Sequence, residues 1–542
     1  MSRARRYWWA VVLVVVVALL APGTARAAGN PVSPYGGLSS SQRASLLAIA
    51  RDTWKFYGAD VDQATGLPMD NITFAGGAAN PTSFGRYTSA ANIGVYLWAV
   101  VAARDLGLVS EPQARSRIQA TLTEVSHLKR DNGFLYQWYD TTNGNVLINP
   151  GQGDCTETTP AFDNCYFISN VDNGWYASGL IVVRQAMPEL SHLVNSLIAP
   201  MNFGLFYDAR AETHCNVNPA ITGNQPTGQM FGGYYVGLPP DQGDNWTHYY
   251  HNGALYSDPR ISAYIGMGLH QRPGNVWWRS WRELPPPAPF ADCQSTDPDF
   301  SWQGQWPMAG SWQTYTDPQS RQKFPVWEGH YTYPGSDLTF IPTYSGGMFE
   351  GLMPNEIVPE TSWGTRSFGL ADARTAQVQI KYATQQLHDP VWGMSPSSTP
   401  DDTGGYGGYG VEGLAFPYFG TGADASHPNQ GLSQCRGCAT EDVVTPHASF
   451  LALDVAPQQA FANITALRSR YPGVYGADGF FDAVNPTTGA VGHRDLVLDQ
   501  SMIMAALDNA LSDRALQRDF ARDPVSWAAH TYLSMETMSI TG

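Results

Sequence analysis

Apolar residues recur at helical spacing from one end of the chain to the other, and this periodicity constrains the fold more than any other feature. Leu47, Ala50, Trp54 and Tyr57 form one stripe; Ala373, Ala376, Ile380, Ala383 and Leu387 form another. The same spacing predicts helices at about 88–106, 112–129, 173–187, 189–200, 258–269, 445–456, 457–470 and 497–511. Strand signals are short and weak, as at Gly133 to Tyr139. The expected fold class is all-α.

Between these helices run segments rich in Gly, Pro, Asn and aromatics, at about 142–170, 205–250, 283–343 and 398–440. Structureless stretches of such length are uncommon in compact domains unless they build a site, so they are expected to wall a cleft. Short strands hidden within them would move boundaries without changing the class. Neither a tandem repeat nor a linker divides the chain, which predicts one domain over residues 28–542.

The first 27 residues read as a signal peptide. Arg3, Arg5 and Arg6 precede an apolar run from Trp8 to Ala21, and Ala25-Arg26-Ala27 presents small residues to a signal peptidase. The run is shorter than the roughly 20 residues a membrane span needs. A secreted, extracellular protein with no membrane association after cleavage is expected. Removing the four leader arginines takes the net charge from −16 to −16 − 4 = −20, which argues against nucleic acid as a partner.

Six cysteines in an exported chain favour disulfides, and sequence order suggests Cys155–Cys165, Cys215–Cys293 and Cys435–Cys438. Cys435-Arg-Gly-Cys438 has no second pair beside it to complete a zinc site. The 17 Trp and 27 Tyr offer flat faces that suit sugar rings, though a large core also consumes them.

Three acidic places stand out. Glu350, in YSGGMFEGLMP, sits among apolar and small residues, where a carboxyl favours its protonated form and suits a general acid. The competing reading is a solvent-facing glutamate at a helix end. Glu441-Asp442 precedes the apolar stretch VVTPHASFLALDV and either complements a helix start or faces a substrate. Asp499, in DLVLDQSMIMAALDNAL, either caps its helix or orients another acid. Glycoside hydrolysis needs two carboxyl groups flanking one bond. Motifs for a serine nucleophile, a zinc protease, a phosphate loop or a dinucleotide fold are missing from the sequence. No cofactor and no metal are expected.

The segments TSAANIGVYLWAVVAARDLGL, GFLYQWYDTTNG, SNVDNGWYASGL, SDPRISAYIGMGL, YSGGMFEGLMP and the block from Glu441 to Asp523 resemble the glycoamylase-like domain family. The resemblance is to the cyclising module of bacterial cyclic β-1,2-glucan synthases and, more distantly, to endo-β-1,2-glucanases, over residues 40 to 525. It implies an (α/α)6 barrel acting on a sugar chain laid across one end, with Glu350 as acid/base and Glu441 as nucleophile, 441 − 350 = 91 positions apart. It also implies substrate contacts from Asp70, Trp138, Asp140, Asp172, Trp175, Arg260, Tyr344, Trp363, Trp392, Tyr406, Tyr409, His447 and Asp499.

The synthases carry an acid in the loop that reads Trp392-Gly393-Met394-Ser395-Pro396-Ser397 here, and the glucanases place their acid elsewhere, so retention and inversion both stay open. The expected activity is endo-hydrolysis of a bacterial or plant glycan, β-1,2-glucan first, with transglycosylation as an added capacity. The alternatives are hydrolysis of an actinobacterial wall arabinan, galactan or mannan, or glycan binding without catalysis.

Overall fold

The structure is a computed structural model that describes residues 35, 37–156, 165–209, 228–236, 252, 254–280, 282, 308–343, 346–411 and 442–540. The leader, Tyr344, Glu441 and the cysteines at 215, 293, 435 and 438 lie outside the described residues.

In chain order the α-helices described are α1 (Ser40–Asp60), α2 (Ala90–Asp105), α3 (Glu111–His127), α4 (Asn170–Ala186), α5 (Ser191–Ile198), α6 (Arg260–Gly268) and α7 (Asn275–Arg279). They continue with α8 (Met348–Leu352), α9 (Glu360–Trp363), α10 (Phe368–Lys381), α11 (Pro446–Leu451), α12 (Pro457–Arg470), α13 (Val497–Leu511), α14 (Ala515–Arg522) and α15 (Trp527–Met535). Local chemistry marks the helix starts. Ser39 and Gln42 form a reciprocal capping box at α1, and Ser89 and Ser169 accept from backbone N–H groups at the starts of α2 and α4.

Two kinds of helix follow from burial. α1, α3 and α12 bury one face each, the pattern of an outer layer. By contrast α2 is buried continuously from Ala90 to Ala103, and α6 and α11 are buried along their whole length, which requires neighbours on all sides. The packing runs α6 on α4, α4 on α2, α2 on α13, α13 on α11 and α11 on α8. Arg260, the first residue of α6, returns to α8 by donating to the carbonyls of Glu350 and Gly351. Arg260 thereby ties the start of α6 to α8 at Glu350.

Glycines set the tightest of these crossings. A Cβ on Gly94 of α2 would stand 2.3 Å from the Trp175 carbonyl oxygen, and one on Gly179 of α4 would stand 2.4 Å from the Gly94 carbonyl oxygen. One contiguous buried cluster runs from Tyr35 to Ile540. Among the described residues no helix is long and apolar enough to cross a membrane.

The structure corrects the sequence-derived secondary structure in three places. Residues 283–343, expected as a loop, contain in their described part a three-stranded antiparallel sheet of Met308–Thr316, Lys323–Thr332 and Thr339–Phe340, with Trp312 opposite Trp327. Pro325 and Gly329 interrupt the apolar alternation there and disguise the strand. The stripe through Leu387 is α-helical only to Lys381 and continues as a π-helical turn, Tyr382–Leu387. The helices α14 and α15 were not predicted. α14 is short and mostly polar, and it follows two residues of positive φ, Asp513 and Arg514.

Small strands tie distant segments together near the helix ends. Asn71–Thr73 pairs with Arg494–Leu496 on one side and Ser83–Gly85 on the other, so Asp70 and the start of α13 share one sheet edge. Cys155 and Cys165 form the expected disulfide. The other two expected pairs fall outside the described residues.

Candidate active site

Glu350 lies in the first turn of the five-residue helix α8, which starts after Gly347 and gives way to a 3-10 turn containing Pro354. Its side chain is 9% exposed. Apolar neighbours are present, but the carboxyl itself is met by polar groups. Ser257 Oγ donates to Glu350 Oε2 at 2.6 Å, and the Asp258 carboxyl is hydrogen-bonded to Glu350. Burial, followed by the Glu350 charge, holds the Asp258 pKa well above the usual carboxylate range. The raised pKa belongs to Asp258, and it favours the protonated form of that carboxyl.

The Ser257-Asp258-Pro259-Arg260 turn supports this carboxyl pair from below. Trp175 Nε1 donates to Asp258 Oδ2 at 3.3 Å, and its ring packs edge-on against Trp98 in the core. Arg260 donates to Glu360 through Nε at 2.8 Å and through Nη2 at 2.7 Å. Tyr264 adds a third donor to Glu360 at 2.6 Å. A fully buried ion pair persists only when geometry and further hydrogen bonds offset desolvation, and this one meets both conditions. Arg260 and Trp175 are thus sealed beneath the surface, where they position Glu350 and Asp258 and do not face a ligand.

A second group of acids acts on Tyr406, which lies on the short strand Tyr406–Gly407 and is 54% exposed. Burial and the charges of Asp499, Asp482, Glu350 and Asp70 push its pKa well above the usual phenol value. The charges of four carboxyls thus converge on one half-open side chain. Asp70 accepts from Asn71 Nδ2 and Asn92 Nδ2, each at 2.9 Å. Tyr87 also lies against Asp70, and Trp138 packs edge-on to Tyr87 at 5.5 Å. Burial raises the Asp499 pKa to about 7 and lowers that of His447 to about 4.

The remaining predicted positions have other surroundings. Asp172 is partly exposed, is held by Ser169 and Gln137, and contributes charge near Asp258. Asp140 Oδ1 accepts from Thr142 N and Oγ1, closing a turn. Tyr409 folds over Gly407, where a Cβ would come within 2.6 Å of its ring. Trp392 is 5% exposed in the core and its backbone is clasped by Asn463, so it presents no free face. Trp363 packs against His530 of α15 in the outer layer. Asp442 is buried against Asp389, which, after burial, helps raise its pKa to about 8. Thr445, not Asp442, is the residue that precedes α11.

Sequence reasoning missed Ser257, Asp258, Glu360 and Asp482. The first two were in view within the SDPR motif. Asp482, in FFDAV, shows the same acid-among-apolar pattern as Glu350.

Residues 313–524 match the family model described as "Putative glucoamylase", and residues 48–205 match a family of unknown function. A cyclic β-(1,2)-glucan synthase, NdvB of Rhizobium meliloti (strain 1021), is 31% identical over 201 residues, a stretch covering 36% of this chain and 6% of the synthase. Among solved structures, a protein of Bacteroides fragilis NCTC 9343, also described as a putative glucoamylase, superposes with a TM-score of 0.60 at 15% identity, covering 93% of this chain and 99% of that one. An endo-β-1,2-glucanase from Chitinophaga pinensis gives 0.60 at 14% identity, covering 92% and 98%. One from Talaromyces funiculosus gives 0.54 at 12%, covering 88% and 90%. The fold is therefore the helical-barrel fold of these glucoamylase-like and glucanase structures. The matched stretch, residues 313–524, carries Glu350, Asp482 and Asp499.

Proposed function

We propose that this chain is a secreted, endo-acting glycoside hydrolase of β-1,2-glucan, built as a single (α/α)6 barrel with its cleft at the end where α8 meets α6. The observation that carries this reading is the hydrogen-bonded Asp258–Glu350 carboxyl pair, whose Glu350 acts together with Asp499, Asp482 and Asp70 on the half-open Tyr406. Asp258, whose pKa is held well above the usual carboxylate range, keeps the proton in this reading, and Glu350, the member anchored by Ser257, passes it to a leaving glycosidic oxygen. The second carboxyl is assigned to Glu441. Asp70, Tyr406, Trp138 and Asp172 supply the polar and aromatic lining for a saccharide.

The match to a cyclic β-(1,2)-glucan synthase and the fold shared with endo-β-1,2-glucanases support the choice of glucan. A two-carboxyl mechanism that passes through a glycosyl intermediate also permits transfer to a second sugar. Incubation with linear β-1,2-glucan and a panel of other glycans tests the proposal. Short oligosaccharides from β-1,2-glucan alone are expected; cleavage of a different glycan, or of none, contradicts it.

A further inference from the structure

We infer that His447, Asp482 and Asp499 form a buried binding site for one divalent transition-metal cation. Three elements deliver them: His447 comes from α11, Asp482 from the segment between the short strands Gly479–Phe480 and Ala483–Val484, and Asp499 from the first turn of α13. One ligand atom from each lies within 4.8 Å of the others. Their separations, 482 − 447 = 35 and 499 − 482 = 17, follow no metal-binding spacing, so only the folded chain reveals the set.

The polar atoms left without partners supply the second observation. His447 Nε2, Asp482 Oδ1 and both carboxyl oxygens of Asp499 are buried and accept or donate no hydrogen bond, and the three residues are at most 2% exposed. Their other atoms are engaged: Asp482 Oδ2 accepts from Ser398 N at 2.5 Å, and His447 Nδ1 lies 2.7 Å from Thr445 Oγ1. Nδ1 is also 3.1 Å from Asp499 Oδ2, close enough for attraction but without hydrogen-bond alignment. Among the described residues no lysine or arginine pairs with either aspartate. Buried carboxylates left unpaired are costly. The carboxylates of Asp482 and Asp499 also lie within 4.8 Å of each other, an arrangement that needs a shared proton or a cation.

A cation satisfies the orphaned oxygens and an imidazole nitrogen together, and two carboxylates with one imidazole suit Mn2+ or Zn2+. The hydroxyl of Thr445 holds the ring of His447 in place, as partners of metal-bound histidines commonly do. Three protein ligands leave coordination positions open. Cation binding here does not depend on the glycosidase reading.

The test uses the whole protein stripped with chelator and dialysed. Mn2+ is titrated by calorimetry, bound Mn2+ and Zn2+ are counted by elemental analysis, and melting is followed with and without Mn2+. One cation per chain and a higher Tm with Mn2+ are expected, with affinity lowered at least about tenfold in Asp499→Asn and Asp482→Asn. Sub-stoichiometric binding by the wild-type protein, a measurement that needs no variant, overturns the inference and leaves a shared proton as the account of the pair. Variants that bind like the wild type overturn it as well. A protein that binds Mn2+ but cleaves no glucan leaves this inference standing and removes the proposed function.

Discussion

Asp258 and Glu350 join two carboxyl groups by a hydrogen bond, with Ser257 holding the glutamate from one side and Trp175 holding the aspartate from the other. The pair replaces the isolated glutamate suggested by the sequence, and it puts the raised pKa on Asp258. Replacing Asp258 by Asn removes the group that carries the raised pKa. With that proton-bearing group gone, the alkaline limb of kcat/KM should move toward acid by about one pH unit or more. Rate profiles of the two proteins against pH check this; coincident limbs would show that Asp258 plays no part in the proton's retention.

Arg260 and Glu360 bind each other with neither side chain reaching solvent. Truncating Arg260 to Ala leaves Glu360 as a buried charge without its cation and cuts two links to α8. The expected cost is about 3–5 kcal/mol of stability, read as a lower denaturant midpoint. A midpoint equal to the wild type would mean that the ion pair is dispensable to the tie between α6 and α8.

The α2–α4 crossing leaves no space for a methyl group at Gly94. Gly94→Ala brings a Cβ to 2.3 Å from the Trp175 carbonyl oxygen, so the helices must part, at a cost of about 1–3 kcal/mol. Because Trp175 also holds Asp258, kcat/KM should fall together with Tm. Unchanged activity at a lower Tm would separate the crossing from the site.

Glu328, on the strand Lys323–Thr332, is fully buried beside Glu536, and burial followed by that neighbouring charge raises its pKa to about 8. An acid with a raised folded-state pKa contributes stability that is complete below its ordinary value near 4.5 and is lost as pH climbs through 8. Glu328→Gln keeps an acceptor for the Tyr315 hydroxyl, which lies 2.9 Å from Oε1, and cannot ionise. Its Tm should match the wild type at pH 5 and exceed it at pH 9. A wild-type advantage at pH 9 would contradict the assignment.

Helices with a periodic apolar face were legible from the sequence because burial on one side or all sides leaves a period of 3.6 in the residues themselves. The ranges read for α2, α3, α12 and α13 agree with the structure to within about two residues at each end. The sheet around Trp312 and Trp327 was not legible, since Pro325 and Gly329 break the alternation that would announce it. At the site, Glu350 could be singled out by its apolar neighbours. Its partner Asp258 could not, because a carboxyl 350 − 258 = 92 positions away becomes a neighbour only when α6 and α8 meet. The same holds for His447, Asp482 and Asp499, which three separate elements bring together.

The most direct measurement is the rate at which Glu350→Gln cleaves linear β-1,2-glucan, taken beside its affinity for the same glucan. Loss of kcat by about a hundredfold or more, with glucan still bound and Tm preserved, is the predicted result. Wild-type kcat in the variant would contradict the account, because the proton for the leaving oxygen would then come from somewhere other than the Asp258–Glu350 pair.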